Sequence, residues 1–156
     1  MELMIFVKNN KYTVEDKKQR RLYTVKKKGL GGSRFALHDA SNYQLYTFVQ
    51  TSEDRKPTFT ILHNDATYMR GLCKSLFLDP TIEFKGKDGE YELVSKDHKN
   101  FDFMIGGKKA GELHTAVSVS GDLQYTFQIE DKIFDDYMVL FAVAVDRTFG
   151  EMNKEG

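Results

Sequence analysis

The stretch that most constrains this chain is Tyr137-Met-Val-Leu-Phe-Ala-Val-Ala-Val145, nine successive apolar residues ended by Asp146. A helix through it is apolar on every face, and such a helix must be buried in protein or in lipid. Nine residues fall well short of the ~20 that cross a bilayer, so protein has to cover them. Ahead of it, Glu130-Asp-Lys-Ile-Phe-Asp-Asp136 supplies N-cap candidates and acidic side chains suited to the positive end of a helix dipole. Gly150 supplies a stop. The pattern predicts a helix over about 133–149, about 25 Å long. The run Met138 to Val145 is also compatible with one more buried strand. Its two alanines, the acidic lead-in and Gly150 favour the helix.

Everything before Ile129 follows a different grammar. Short runs of β-branched and aromatic residues alternate with polar ones and are separated by Gly, Asp, Asn and Ser clusters. Leu22 to Lys26, Phe35 to Asp39, Leu45 to Val49 and Thr58 to Leu62 are examples, and the rhythm continues through Val117 to Val119 and Tyr125 to Ile129. Roughly ten to twelve strands at this spacing predict an antiparallel barrel or sandwich. One buried helix and one long meander fit together if the sheet wraps the helix. A barrel of about twelve strands has room for that, whereas eight strands are filled by their own side chains. The expectation is a mostly β single domain over 1–156: an antiparallel barrel over about 1–130 enclosing a hydrophobic C-terminal helix.

A length of 156 residues fits one domain. With 40% hydrophobic and 29% charged residues the chain has material for a real core, which excludes a disordered tail. Lys plus Arg and Asp plus Glu balance at 23 each, which argues against a globally basic nucleic-acid binder, and no nucleic acid is expected as a partner. The single cysteine, Cys73, excludes a disulfide framework and a multi-cysteine zinc site. The apolar start Leu3 to Val7 is too short for a signal-peptide core and runs into Lys8. A soluble, cytoplasmic protein is expected, touching a membrane at most peripherally.

The residues Leu22-Tyr-Thr-Val-Lys-Lys-Lys28, Phe35-x-Leu-x-Asp39, Leu45-Tyr-Thr-Phe48, Tyr125-Thr-Phe-Gln-Ile129 and Asp136-x(3)-Leu140-Phe-Ala-Val-Ala-Val-Asp146 resemble the tubby C-terminal-like superfamily. The likeness is to its LURP-one-related and small bacterial members, with phospholipid scramblases as distant relatives. The resemblance covers about 20–149 and rests most on order: a meander first, then a terminal apolar helix ending in Asp-Arg. It implies a twelve-stranded barrel closed around a central helix. It also implies a non-enzymatic binding module, since tubby proteins bind phosphoinositides through a basic surface. The chain departs from the scramblases in lacking their cysteine-rich stretch and any membrane-spanning tail.

One local feature fits such a surface. Lys17, Lys18, Arg20, Arg21, Lys26, Lys27 and Lys28 place seven basic residues in twelve positions with no acid among them, and Gly29-Leu-Gly-Gly32 leads on to Arg34. Together they are the candidate site for an anionic lipid, with backbone N–H groups of the glycine link as further anion donors. Strand alternation sends Lys26 and Lys27 to opposite faces, which weighs against one patch. The glycine link is no nucleotide loop, having neither a Lys-Ser ending nor a strand-to-helix context.

His38, His63, His98 and His114 show no metal-ligand spacing, so no metal or cofactor is expected. Cys73 has no identifiable activating partner, and Ser33, Ser41, Ser75 and Ser118 lack a nucleophile elbow. Asp146, if buried, needs a partner, for which Arg147 or a rim lysine is at hand. The primary reading is therefore a binding module for an anionic membrane surface, a phosphoinositide or another phosphorylated ligand. The alternative is a protein-interaction or scaffold domain with a protein partner and no lipid.

Overall fold

The computed structural model describes residues 1–154. In chain order the strands are β1 (Glu2–Lys8), β2 (Lys11–Glu15), β3 (Arg21–Lys27), β4 (Arg34–Asp39), β5 (Gln44–Glu53), β6 (Lys56–His63), β7 (Ala66–Ser75), β8 (Thr81–Gly86), β9 (Gly89–Ser95), β10 (Asn100–Ile105), β11 (Lys108–Val117) and β12 (Leu123–Ile129). Each pairs antiparallel with its neighbours, and β1 closes on β12 with Leu3 opposite Phe127 and Ile5 opposite Tyr125. Closure leaves no exposed sheet edge. A 3-10 turn, Asp136–Met138, then leads into α1 (Val139–Lys154), which threads the barrel.

Alternation builds the interior. On β2, Tyr12 and Val14 point inward while Lys11 faces solvent; on β10, Phe101 and Phe103 point in and Asp102 out. The helix fills the space these side chains leave. Every residue from Val139 to Val145 is at most 1% exposed, so all faces of the apolar run are covered. Phe141 sits centrally, its ring 4.5 Å from Phe84, 5.2 Å from Tyr91 and 5.7 Å from Phe103. Burying one such ring stabilises by roughly 1.5–3 kcal/mol. On β7 a side chain at Gly71 would come within 2.4 Å of the Phe84 ring, so glycine there is a condition of this packing.

Because α1 enters after β12 and runs the length of the barrel, the two ends differ. At the helix-entry end lie the β2–β3, β4–β5, β6–β7, β8–β9 and β10–β11 connections. At the helix-exit end lie β1–β2, β3–β4, β5–β6, β7–β8, β9–β10 and β11–β12. Arg147 Nη1 donates to Asn10 Oδ1 in the β1–β2 turn at 3.1 Å, and Asn153 Nδ2 donates to the His98 carbonyl in the β9–β10 connection at 2.9 Å. These contacts fix the C-terminal half of α1 at the exit end.

Three details depart from the sequence expectation. The first hairpin, β1–β2, is absent from the strand rhythm read above; it turns on Asn9-Asn10, both at positive φ, as two-residue hairpins favour. Val117 to Val119 is not a strand of its own, since Val117 ends β11 and the next residues form the connection to β12. The helix begins at Val139 after the 3-10 turn, with Asp135 accepting from the Asp136 N–H at 2.8 Å, and it continues through Gly150 to Lys154. Gly150 is thus a buried helix-interior residue and no stop.

Candidate functional site

The basic run divides. β3 is seven residues long, which separates its ends by about 20 Å. Lys17, Lys18, Arg20 and Arg21 lie at the helix-entry end, while Lys26, Lys27, Lys28 and Arg34 lie at the helix-exit end. These eight residues therefore do not form one surface.

At the entry end two of the four cations are paired with carboxylates. Lys17 Nζ lies 3.0 Å from Glu2, and Arg20 Nε donates to Asp16 at 2.7 Å. Asp16 also accepts from the backbone N–H groups of Lys18 and Arg20, and these bonds, that from Arg20 foremost, hold its carboxyl below the usual range. Arg21 reaches the Ala40 carbonyl at 3.4 Å. The open groove here, about 490 Å³, includes Glu2, Asp16 and Asp131 among its lining. An anion would meet these three carboxylates alongside Lys17, Lys18 and Arg20.

The exit-end half has the opposite character and gains members from elsewhere. Lys8 stands directly across from Lys11, and the Tyr12–Val25 pairing places Lys11 next to Lys26. The Lys28 N–H donates to the Arg34 carbonyl at 2.8 Å, closing the loop that carries Gly29, Gly31 and Gly32 at φ of +77°, +108° and +77°. Lys27 points to the barrel mouth under this loop: a side chain at Gly32 would lie 3.2 Å from its Nζ. Arg55 and Lys56 extend the series on the β5–β6 hairpin. None of Lys8, Lys11, Lys26, Lys27, Lys28, Arg34, Arg55 and Lys56 forms an ion pair with a described carboxylate. The contacts that two of them do make are to neutral oxygens, each at 3.4 Å: Lys56 to the Lys74 carbonyl, and Lys28 to Gln44 at the start of β5, which turns the Lys28 amine back along the wall from the rim.

Arg147 joins this rim from inside. Its Nε donates to Gln50 Oε1 at 2.8 Å, and its guanidinium lies 5.3 Å from the Phe35 ring centroid. Its third contact is the hydrogen bond to Asn10, and it also interacts with Tyr12, the phenol bonded to Asp146. A cavity of about 470 Å³ beside it is lined by Lys8, Asn10, Arg147 and Lys154 together with Asp122, Asp146 and Glu151. Sequence reading missed Lys8, Lys11, Arg55, Lys56 and Arg147. The signal for the first four was their place beside Asn9-Asn10 and Asp54-Arg55, once both turns are assigned to the same end.

Asp146 is partnered by neither Arg147 nor a lysine. Tyr12 donates to its Oδ2 at 2.6 Å and Tyr125 to its Oδ1 at 2.7 Å, tying α1 to β2 and β12. Burial first, then the adjacent carboxylate, pushes both phenols well above their usual range, so both remain donors. Asp136 accepts from Tyr23 in the same manner at the other end. Cys73 is buried, its thiol pushed up by burial, the reverse of what a nucleophile needs. His98 is bonded to Asn153, His114 to Asn100 and Glu112, and His63 lies against Tyr46. Among the described residues no three metal-ligating side chains converge, and no helix is long and apolar enough to cross a membrane.

The model of the LURP-one-related family matches residues 2–146. Among curated proteins no sequence match is found. The X-ray structure of a protein from Arabidopsis thaliana is similar with a TM-score of 0.62, covering 92% of this chain and 86% of that one at 14% identity. At that identity the likeness is one of fold.

Proposed function

Because this chain belongs to the LURP-one-related family, we propose that it is a non-enzymatic binding module whose helix-exit rim engages the phosphate groups of an anionic lipid surface. The observation that carries this reading is the gathering of Lys8, Lys11, Lys26, Lys27, Arg34, Arg55 and Lys56, none in an ion pair among the described residues, with Arg147 at one end of a chain with no net charge. Like charges set directly across strands are destabilising, and a polyanion relieves that repulsion. Near an anionic bilayer each such residue contributes ~1 kcal/mol, so several together give reversible, salt-sensitive attachment. The helix occupies the barrel interior, the volume in which an enzyme of this shape would need its substrate cavity.

The test is co-sedimentation with neutral and phosphatidylserine-containing vesicles, with and without phosphoinositide, at low and physiological salt. Binding is expected only with anionic lipid. The triple charge reversal Lys26→Glu, Lys27→Glu, Lys28→Glu is expected to abolish it with the fold intact, whereas Lys17→Glu with Lys18→Glu leaves it. Equal loss in both variants rejects the exit rim as the site. No binding at either salt rejects the lipid reading and leaves a protein partner.

A further inference from the structure

The four most exposed large apolar side chains among the described residues are Leu30 (106%), Phe77 (81%), Leu78 (84%) and Val119 (110%), followed by Tyr43 at 70%. Scattered surface hydrophobics need no explanation. These are not scattered. Leu30 is on the β3–β4 connection, Phe77 and Leu78 on β7–β8, and Val119 on β11–β12. All three connections are at the helix-exit end, and they are every second one of the six there, so the apolar tips are spaced around the whole rim. The β1–β2 and β5–β6 connections between them are two-residue turns: Asn9-Asn10 flanked by Lys8 and Lys11, and Asp54-Arg55 flanked by Glu53 and Lys56. Of the five side chains, only Tyr43, on β4–β5, is at the opposite end.

Each tip also lacks a structural task. Leu30 is embedded in Gly29-Leu-Gly-Gly32, where nothing covers it. The acids nearby are partly engaged already: Asp79, next to Leu78, pairs with Lys96 at 2.8 Å. Apolar side chains held out on a rim that is itself positive match a surface with anionic headgroups above hydrocarbon, and amphipathic elements with that pairing settle at the headgroup–acyl boundary.

From this arrangement we infer that the barrel docks end-on, its helix-exit end down, with Leu30, Phe77, Leu78 and Val119 inserted into the bilayer as a tripod between the basic contacts. The inference rests on the lipid reading above and adds an orientation and a depth to it. Charge then brings the protein to the surface, and the tips hold it there at salt concentrations that screen the charges.

The chain contains no tryptophan, so a single introduced one reports on its own site. Leu30→Trp, Phe77→Trp and Val119→Trp are compared with Tyr43→Trp, using phosphatidylserine vesicles with and without brominated acyl chains. All four positions are exposed, and circular dichroism checks the fold of each. Expected is a blue shift and strong bromolipid quenching for the three tips, with neither for Tyr43→Trp. Leu30→Asp is further expected to weaken vesicle partition by roughly tenfold or more. Sedimentation with vesicles but no quenching at any tip overturns end-on insertion while leaving the electrostatic reading standing. Quenching equal at Tyr43→Trp overturns the orientation. A blue shift that grows with protein concentration without vesicles assigns the tips to self-association and overturns it too. If the unmodified protein fails to sediment at all, the lipid reading itself fails.

Discussion

At Gly150 two residue-scale effects oppose each other. A glycine in a helix interior costs ~1 kcal/mol relative to alanine, so Gly150→Ala would stabilise α1 if space allowed. A methyl group there lies 2.9 Å from Asp146 Oδ1 and 3.2 Å from Leu123 Cδ1. That oxygen is the acceptor of the Tyr125 hydroxyl, and a hydrogen bond to a charged group is worth about 1.5–3 kcal/mol. The bond outweighs the propensity gain, and Gly150→Ala is expected to destabilise the protein by about 1 kcal/mol or more in urea unfolding. An unchanged or raised midpoint means that Asp146 moves aside without loss. The sequence singled out Asp146 as an acid needing a partner but named the wrong partners. Tyr12 is 134 positions away and Tyr125 is 21, and only barrel closure brings both to it.

At the scale of elements, the helix and the meander were legible for different reasons. Nine apolar residues in a row leave one physical outcome, burial on all sides, and the structure shows it. The strand pattern was legible wherever one face is polar, as in Tyr125-Thr-Phe-Gln-Ile129. It failed at β1, where outward-facing Phe6, 37% exposed, interrupts the alternation and the segment reads as one apolar run. It failed also at the helix start, because the acidic lead-in suits a capped 3-10 turn as well as an α-helical first turn. The mutual dependence of the two elements is testable. Removing residues 136–156 leaves inward-facing Phe84, Tyr91 and Phe103 without Phe141 to pack against, and a twelve-stranded ring too wide to fill itself. Expression of the truncated chain is expected to give aggregated or unfolded protein by circular dichroism. A soluble, cooperatively melting truncation would show that the sheet closes without the helix.

For the molecule as a whole, a balanced composition conceals an unbalanced surface. The 23 basic and 23 acidic side chains cancel in the sum, but the barrel meander sorts them: at the entry end Lys17 and Arg20 meet Glu2 and Asp16, while Lys8, Lys11, Lys26, Lys27 and Arg34 at the exit end form no ion pair among the described residues. Sequence order could not reveal this, since Lys17 and Lys28 are neighbours along the chain yet lie at opposite ends, and Lys8, Lys26 and Arg55 are distant along it yet share one. If the rim is kept positive for a ligand, it is kept so at the expense of the free fold. Lys11 is the place to measure that. It faces Lys8 across the β1–β2 pair and neighbours Lys26 on β3. Cross-strand charge pairs are worth roughly 0.2–1 kcal/mol in either direction, less when screened. Lys11→Glu turns two repulsive neighbours into attractive ones, so the free protein is expected to melt about 2–4 °C higher at low salt. The gain should shrink as salt rises toward 1 M, where the Debye length is ~3 Å. The same substitution is expected to weaken vesicle binding several-fold. A variant more stable and still fully bound would place the contact elsewhere on the rim; one less stable would show that Lys8 and Lys26 do not feel the charge at position 11. Stability and binding moving in opposite directions from a single surface residue is the behaviour of a site whose repulsion is retained for its ligand.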